Sequence, residues 1–206
     1  MPARKIDAVI FDVGHVLYDW DIAYLYRKLI SERERLDWFL ANVVTKEWHY
    51  QHDRGRPFAE TKAQLIERFP EEHELIEAYG PRWLETIGDP VPGMHELARA
   101  LSARGVPLFG ITNFSAEFWD DFRPGEPIFD LFEDIVVSGK ERLTKPDPKI
   151  YEIAKRRFPV DPARALFLDD RAENAKGARK AGFLAHVFTG REGVDARLAE
   201  LGVALA

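Results

Sequence analysis

Apolar residues fall along this chain in short runs separated by helical spacings. From Ile6 to Phe11 nearly every position is apolar, as expected of a strand covered on both faces within a parallel sheet. Comparable runs recur at Pro107–Ile111, Ile135–Val137, Ala165–Leu168 and Leu184–Phe188. Between them, Met94, Leu97, Ala98 and Leu101 share one helical face, and Ile150, Ile153, Ala154 and Phe158 share another. Ala172, Ala175, Ala178 and Ala181 repeat at intervals of three and stop at Gly182, a helix end. Strands alternating with helices predict right-handed βαβ units and an α/β fold with a doubly wound parallel sheet.

From about Asp19 to Asp89 the rhythm changes. The pattern there is helical and heavily charged, with a break at His52-Asp53-Arg54-Gly55-Arg56-Pro57. Pro90-Val91-Pro92-Gly93 marks the return to alternation. This predicts a small helical cap over residues 19–89, inserted after the first strand, with residues 1–18 and 90–206 forming the core. The length of 206 residues suits one domain carrying such an insert.

Composition narrows the chemistry. A net charge of −6 argues against a nucleic-acid surface, which needs clustered Lys and Arg. The absence of Cys excludes disulfides, thiol catalysis and Cys-ligated metals. Met1-Pro2-Ala3-Arg4-Lys5 leads into a short apolar run that soon meets Asp12, so neither a signal peptide nor a spanning helix is expected. No membrane partner and a reducing cytoplasm follow as expectations.

Open α/β sheets bind ligands beyond the carboxyl ends of their strands, so polar residues that close apolar runs carry the most information. Four places qualify. In Phe11-Asp12-Val13-Gly14-His15 a carboxylate closes the first strand, where it could attack an electrophile or simply form a turn. Ile111-Thr112-Asn113-Phe114-Ser115 offers a hydroxyl and an amide to phosphate oxygens, though Thr112, Asn113 or Ser115 would each serve as a helix N-cap. In Lys145-Pro146-Asp147-Pro148, Asp147 and Pro148 read as helix-start residues; Lys145 is left to neutralise a nucleophile and its target, or to be solvated. Leu168-Asp169-Asp170-Arg171-Ala172-Glu173-Asn174 sets two carboxylates side by side. They repel unless a cation or solvent intervenes, and hard oxygens suit Mg²⁺; capping by Asp170 is the alternative.

Taken together, the order and spacing of these four segments resemble the haloacid dehalogenase superfamily. The wording Phe-Asp-Val-Gly-His-Val-Leu-Tyr-Asp-Trp-Asp, Ile-Thr-Asn-Phe-Ser and Lys-Pro-Asp-Pro is similar to a subgroup with a helical cap after its first motif, and the resemblance spans the whole chain. It implies a Rossmann-like hydrolase core and a Mg²⁺-dependent phosphatase acting on a small phosphorylated metabolite, as monomer or homodimer. Asp12 would be the nucleophile. Thr112, Asn113 and Lys145 would hold the phosphate, and Asp12, the Gly14 carbonyl, Asp169 and Asp170 the metal. Asn174 would orient Lys145 or the acidic pair, and Trp48, Arg54 and Arg56 would face the substrate from the cap.

One position departs from the family pattern. Where most phosphatases of this superfamily carry a second Asp for proton transfer, this chain has Gly14. His15 is adjacent, but it also belongs to the residue types that tolerate left-handed backbone, which favours a structural role. His49 and His52 have one-face spacing without a third ligand, so no zinc site is expected. Two rival readings stay open: a metal-independent 2-haloacid dehalogenase, and a non-catalytic phosphate binder.

Overall fold

The computed structural model describes residues 6–203; Met1 to Lys5 and the last three residues, assigned above to the core, lie outside them. In chain order come β1 (Ala8–Phe11), β2 (Tyr18–Trp20), α1 (Ile22–Tyr26), α2 (Arg33–Asn42), α3 (Lys46–Asp53), α4 (Phe58–Arg68), α5 (His73–Tyr79) and β3 (Ile87–Pro90). Then follow α6 (Met94–Ala103), β4 (Leu108–Thr112), α7 (Ala116–Phe122), β5 (Phe132–Val137), α8 (Ser138–Glu141) and α9 (Pro148–Arg157). The last elements are β6 (Ala165–Asp169), α10 (Ala172–Lys180), β7 (Leu184–Val187) and α11 (Arg191–Glu200).

Five strands form a parallel sheet in the order β5-β4-β1-β6-β7, with β1 at its centre. Central placement explains why Ala8 to Phe11 are all fully buried. Their side chains alternate between two cores. Val9 and Phe11 join a cluster with Leu97 of α6, Phe118 of α7 and Leu198 of α11; Ala8 and Ile10 join one with Ile150 and Ala154 of α9 and Ala178 of α10. Helices therefore cover both faces, the doubly wound α/β arrangement that the alternation predicts.

The stretch between β2 and β3 is helical, but its ends differ from the expectation. Tyr18–Trp20 pairs antiparallel with Ile87–Pro90 in a two-stranded ribbon, with Tyr18 opposite Pro90 and Trp20 opposite Ile87. The sequence conceals this ribbon because it is short and irregular. Neither strand is an apolar run or a clean alternation, and their pairing joins positions far apart in the chain. The break expected from His52 begins later, since α3 continues through Asp53. Burial explains the difference: His52 and Asp53 turn inward, so their polarity marks a packed helix end rather than a loop.

The inserted helices share the first core cluster through Tyr26, Phe39, Trp48, Tyr79 and Trp83. Trp83 lies flat against Phe118 of α7, ring centroids 4.7 Å apart. Aromatic area therefore ties this segment to one face of the sheet near the carboxyl ends of the strands.

Candidate active site

The site grows from the strand ends. Asp12 follows β1, and its backbone N–H donates to the Leu168 carbonyl at 2.9 Å. That bond extends the central pairing by one residue and fixes where the carboxylate leaves the sheet. Its Oδ1 accepts from the Val13 N–H at 2.7 Å, and its Oδ2 lies 2.8 Å from Lys145 Nζ.

Lys145 is buried, so the solvated alternative falls away. Its ammonium makes three contacts: Asp12 Oδ2, Asp169 Oδ2 at 2.7 Å and the Ile111 carbonyl at 2.8 Å. Three N–H donors thus have three acceptors. Asn113 holds the lysine backbone from both sides, accepting from the Lys145 N–H at 2.7 Å and donating to its carbonyl at 3.1 Å. This gives Asn113 a role beside the one expected: its side-chain amide positions Lys145.

Thr112 and the acidic pair escape their capping alternatives. Ser115 is the N-cap of α7, whereas Thr112 Oγ1 is fully buried without a hydrogen-bond partner. Asp169 closes β6. It accepts from the Arg171 N–H at 2.9 Å and from Asn174 Nδ2 at 3.0 and 3.2 Å, so Asn174 orients the acidic pair through Asp169. Arg171, not Asp170, is the N-cap of α10 and makes no side-chain cap. Among the described residues, Asp12, Asp169 and Asp170 offer oxygens all within 4.8 Å of one another.

Burial, the largest influence on Asp12, pushes its carboxyl well above the usual range; Lys145 pulls down, and Asp169 pushes up. Burial also raises Asp169, but Lys145, the Arg171 N–H and Asn174 outweigh it and leave this carboxyl low. Asp170 is raised by burial and by Asp169. Burial alone would lower Lys145, yet the two carboxylates hold it above its ordinary value. Ionised together, the three carboxylates would exceed the one ammonium by two charges, and the raised Asp12 and Asp170 carboxyls lie in the direction that relieves this excess. Hard oxygen donors with that excess fit a divalent cation such as Mg²⁺.

Gly14 is not there for its backbone. Its φ lies outside the left-handed region, and a Cβ built on it meets nothing within 4 Å. His15 carries the left-handed turn, with φ of 59°, and its ring sits 3.5 Å from Asp19 at the half-exposed rim.

Beyond the strand ends lies a cavity of about 100 Å³. Asp12, Gly14, Asn113, Asp170 and Asn174 line it from the sheet, and His49, Tyr50, Asp53 and Trp83 from the insert; Trp20 and Ile87 of the ribbon close its side. Trp48, Arg54 and Arg56 are not among the lining residues. Trp48 is buried on another face of α3, edge-on to Tyr79 and His52, with its Nε1 donating to the Thr61 carbonyl at 3.3 Å. Arg54 pairs with Glu47, and Arg56 with Gln51 and Gln64. One residue along α3 is about 100° of rotation, so Trp48 and His49 face different ways.

Two insert residues, His49 and Asp53, line the cavity without having been expected there from the sequence. His49 is buried, its Nδ1 2.7 Å from the Tyr79 hydroxyl, and burial lowers it to about 3. His52, 2.6 Å from Thr61 Oγ1, is lowered to about 4 by burial and then Arg56. Both are neutral rings in a packed helix. Asp53 is the second omission. It is 3% exposed and lines the cavity, and burial pushes its carboxyl up to about 7 against the Ser115 N–H, Arg54 and Lys145. Its spacing of four from His49 is the one signal that could have placed it on the cavity face.

The chain is similar to known hydrolases in sequence and in fold. The chain is 27% identical to the sesquiterpene phosphatase astK of Aspergillus oryzae, over 86% of this chain and 87% of that protein. It is 31% identical to (S)-2-haloacid dehalogenase 2 of Pseudomonas sp. strain CBS-3, over 41% of this chain and 37% of that one. A haloacid dehalogenase family enzyme of Bacteroides thetaiotaomicron, solved with magnesium and inorganic phosphate, superposes with a TM-score of 0.67 at 20% identity, covering 90% of this chain and 95% of that chain. The sequence profile of the haloacid dehalogenase-like hydrolases matches residues 6–182, and the chain belongs to that family of hydrolases.

Proposed function

We propose that this hydrolase is a Mg²⁺-dependent phosphatase that cleaves a small phosphomonoester through an aspartyl phosphate on Asp12. The observation that carries this reading is the excess of carboxylates at Asp12, Asp169 and Asp170, which Lys145 alone does not balance. The same excess counts against the dehalogenase reading. A metal-free site with excess negative charge repels the carboxylate of a 2-haloacid, whereas a phosphate brought in with a divalent cation is drawn to it. A mere phosphate binder has no need of a carboxylate aimed into the cavity.

Asp12, the Gly14 carbonyl, Asp169 and Asp170 would hold Mg²⁺, which when bound supplies positive charge to the nucleophile and the transferring phosphoryl group. Asp12 forms a bond to phosphorus as the ester oxygen departs. Lys145 offsets charge at the attacking carboxylate, and the unpartnered Thr112 hydroxyl donates to a phosphoryl oxygen. Asn113 and Asn174 keep Lys145 and Asp169 in place. The inserted helices serve as the cap that keeps bulk water out.

The lining also bears on the leaving group. Trp20, Tyr50, Trp83 and Phe114, with Ile87, give an apolar and mostly aromatic surface, and Arg171, the cation among the lining residues, is paired with Glu173. A small, uncharged and apolar-faced alcohol suits this surface better than an anionic sugar. The lack of cysteine accords with a cytoplasmic enzyme.

A screen of small phosphomonoesters with Mg²⁺ and with EDTA, run beside 2-chloropropionate, tests the reading. Phosphate release that requires Mg²⁺ is expected, strongest for uncharged aryl and short alkyl esters. Chloride release in EDTA, or the absence of any phosphatase activity, overturns it.

A further inference from the structure

Phosphoryl transfer to Asp12 leaves an alkoxide that needs a proton, and hydrolysis of the aspartyl phosphate needs water to lose one. Gly14 supplies no group for either step. Asp170 lines the cavity, but it is committed to the acidic cluster beside Asp12. His15 also lines the cavity, yet it lies at the exposed rim beside Asp19. His49 is held at the Tyr79 hydroxyl, and its ring is neutral down to about pH 3, so it has no proton to spare as an acid near neutrality.

Among the described residues, one carboxyl lines the cavity from the insert, and it is Asp53. It closes α3, and three elements fix its position. Its backbone carbonyl accepts from Ser138 Oγ at 2.6 Å, where β5 gives way to α8, and the Ser115 N–H ahead of α7 lies near enough to favour its ionised form. Asp53 Oδ1 is buried without a hydrogen-bond partner; His49 Nε2 stands 3.5 Å away, beyond a well-formed bond. A buried, unpartnered carboxyl oxygen is costly, and such cost concentrates where a protein uses the group.

We propose that Asp53, reaching the cavity from the insert, is the proton-transferring group of this enzyme and takes the role that Gly14 leaves open. The inference rests on the phosphatase reading. In the first step the Asp12 carboxylate bonds to phosphorus, the P–O bond to the alcohol breaks, and protonated Asp53 gives its proton to the departing oxygen. In the second, the Asp53 carboxylate takes a proton from water as the water oxygen bonds to phosphorus. The P–O bond to Asp12 breaks, and inorganic phosphate, Asp12 carboxylate and protonated Asp53 result. The groups around Asp53 set its poise: burial raises its carboxyl to about 7, while Arg54, Lys145 and the Ser115 N–H lower it; neutral His49 and un-ionised Tyr79 add no charge. A carboxyl near 7 suits both donation and acceptance at neutral pH.

The test uses the Mg²⁺-loaded enzyme and a series of phosphomonoesters running from 2,4-dinitrophenyl to simple alkyl leaving groups. Wild-type kcat/KM for alkyl esters is expected to fall about tenfold per pH unit above roughly pH 7, with no such limb for dinitrophenyl phosphate. Asp53→Asn should slow alkyl esters about 10²- to 10⁴-fold. It should spare the first turnover of the dinitrophenyl ester and show a burst of about one equivalent of phenol as the aspartyl phosphate persists. Gly14→Asp in the Asp53→Asn background should restore alkyl cleavage, since a side chain at Gly14 meets open space. If Asp53→Asn slows all esters equally, Asp53 is only a latch between insert and core, and the proposal fails. Should that variant not fold, the wild-type profile decides: an alkaline limb equal for every leaving group overturns the proposal. Failure of the phosphatase reading looks different, because then no ester is cleaved by the wild type at all.

Discussion

The two walls of the cavity handle polarity in opposite ways. On the sheet side, Asp12, Asp169 and Lys145 meet at 2.7 and 2.8 Å in a site closed to solvent, and each ion is held by its neighbours. On the insert side the buried titratable groups are discharged instead: His49 and His52 are neutral, and Asp53 is poised to carry a proton. The first wall is pre-arranged for charge that develops during reaction, at the cost of mutual dependence among its ions. The second presents a largely neutral aromatic surface that would meet the rest of the substrate. On the proposed function, phosphoryl transfer belongs to the first wall, and selection together with proton transfer by Asp53 belongs to the second.

Substitutions should separate the walls cleanly. Asp12→Asn removes the nucleophile, and phosphate release should fall roughly 10⁴-fold or more, by analogy with loss of other covalent nucleophiles. Its thermal melting should not drop, because the change removes one buried negative charge from a site already rich in them. Lys145→Met strands two buried carboxylates, and urea unfolding should show a loss of about 3–5 kcal/mol as well as a loss of turnover. Addition of Mg²⁺ should recover part of that stability.

Acid should act on the insert. Both buried histidines have folded pKa values below the unfolded 6.5, so the unfolded chain binds more protons and stability declines as pH falls below about 6.5. The decline continues to about 4 for His52 and about 3 for His49, at up to about 1.4 kcal/mol per group and pH unit. Urea midpoints at pH 6.5 and 5 should show it, and His52→Gln, which keeps a partner for Thr61, should lessen it. An equal decline in that variant would place the acid sensitivity elsewhere. The smallest effects belong to substrate contact. Tyr50→Ala should raise KM about tenfold with little change in kcat, whereas Arg56→Ala should leave both within twofold, because of the two only Tyr50 lines the cavity. A larger effect from Arg56 would return it to the site.

The difference between the walls also marks what the sequence could reveal. The sheet-side residues close apolar runs, so Asp12, Thr112, Asp169 and Asp170 announce themselves by breaking a strand pattern. Lys145 is picked out only through the family resemblance, because its loop reads equally well with a solvated lysine. The insert-side residues lie on amphipathic helices, where which face turns toward the cavity is settled by packing against α7 and not by local spacing. That is why Trp48 was a reasonable candidate and His49, one position on, was the lining residue. Asp53 looked like part of a loop because its polarity hid a buried helix end. The ribbon of β2 and β3 was beyond reach for a different reason: its two strands are short, and the pairing that makes them strands is tertiary.

That ribbon has a consequence for how such a chain can be rebuilt. The main chain departs at Trp20 and returns at Ile87 as its cross-strand neighbour, so dozens of intervening residues begin and end at nearly one point in space. A two-residue hairpin turn can bridge that gap without disturbing the parallel sheet. The ribbon is therefore a splice point, at which the insert can be exchanged for one of another shape, provided that the replacement again covers the aromatic cluster around Phe118.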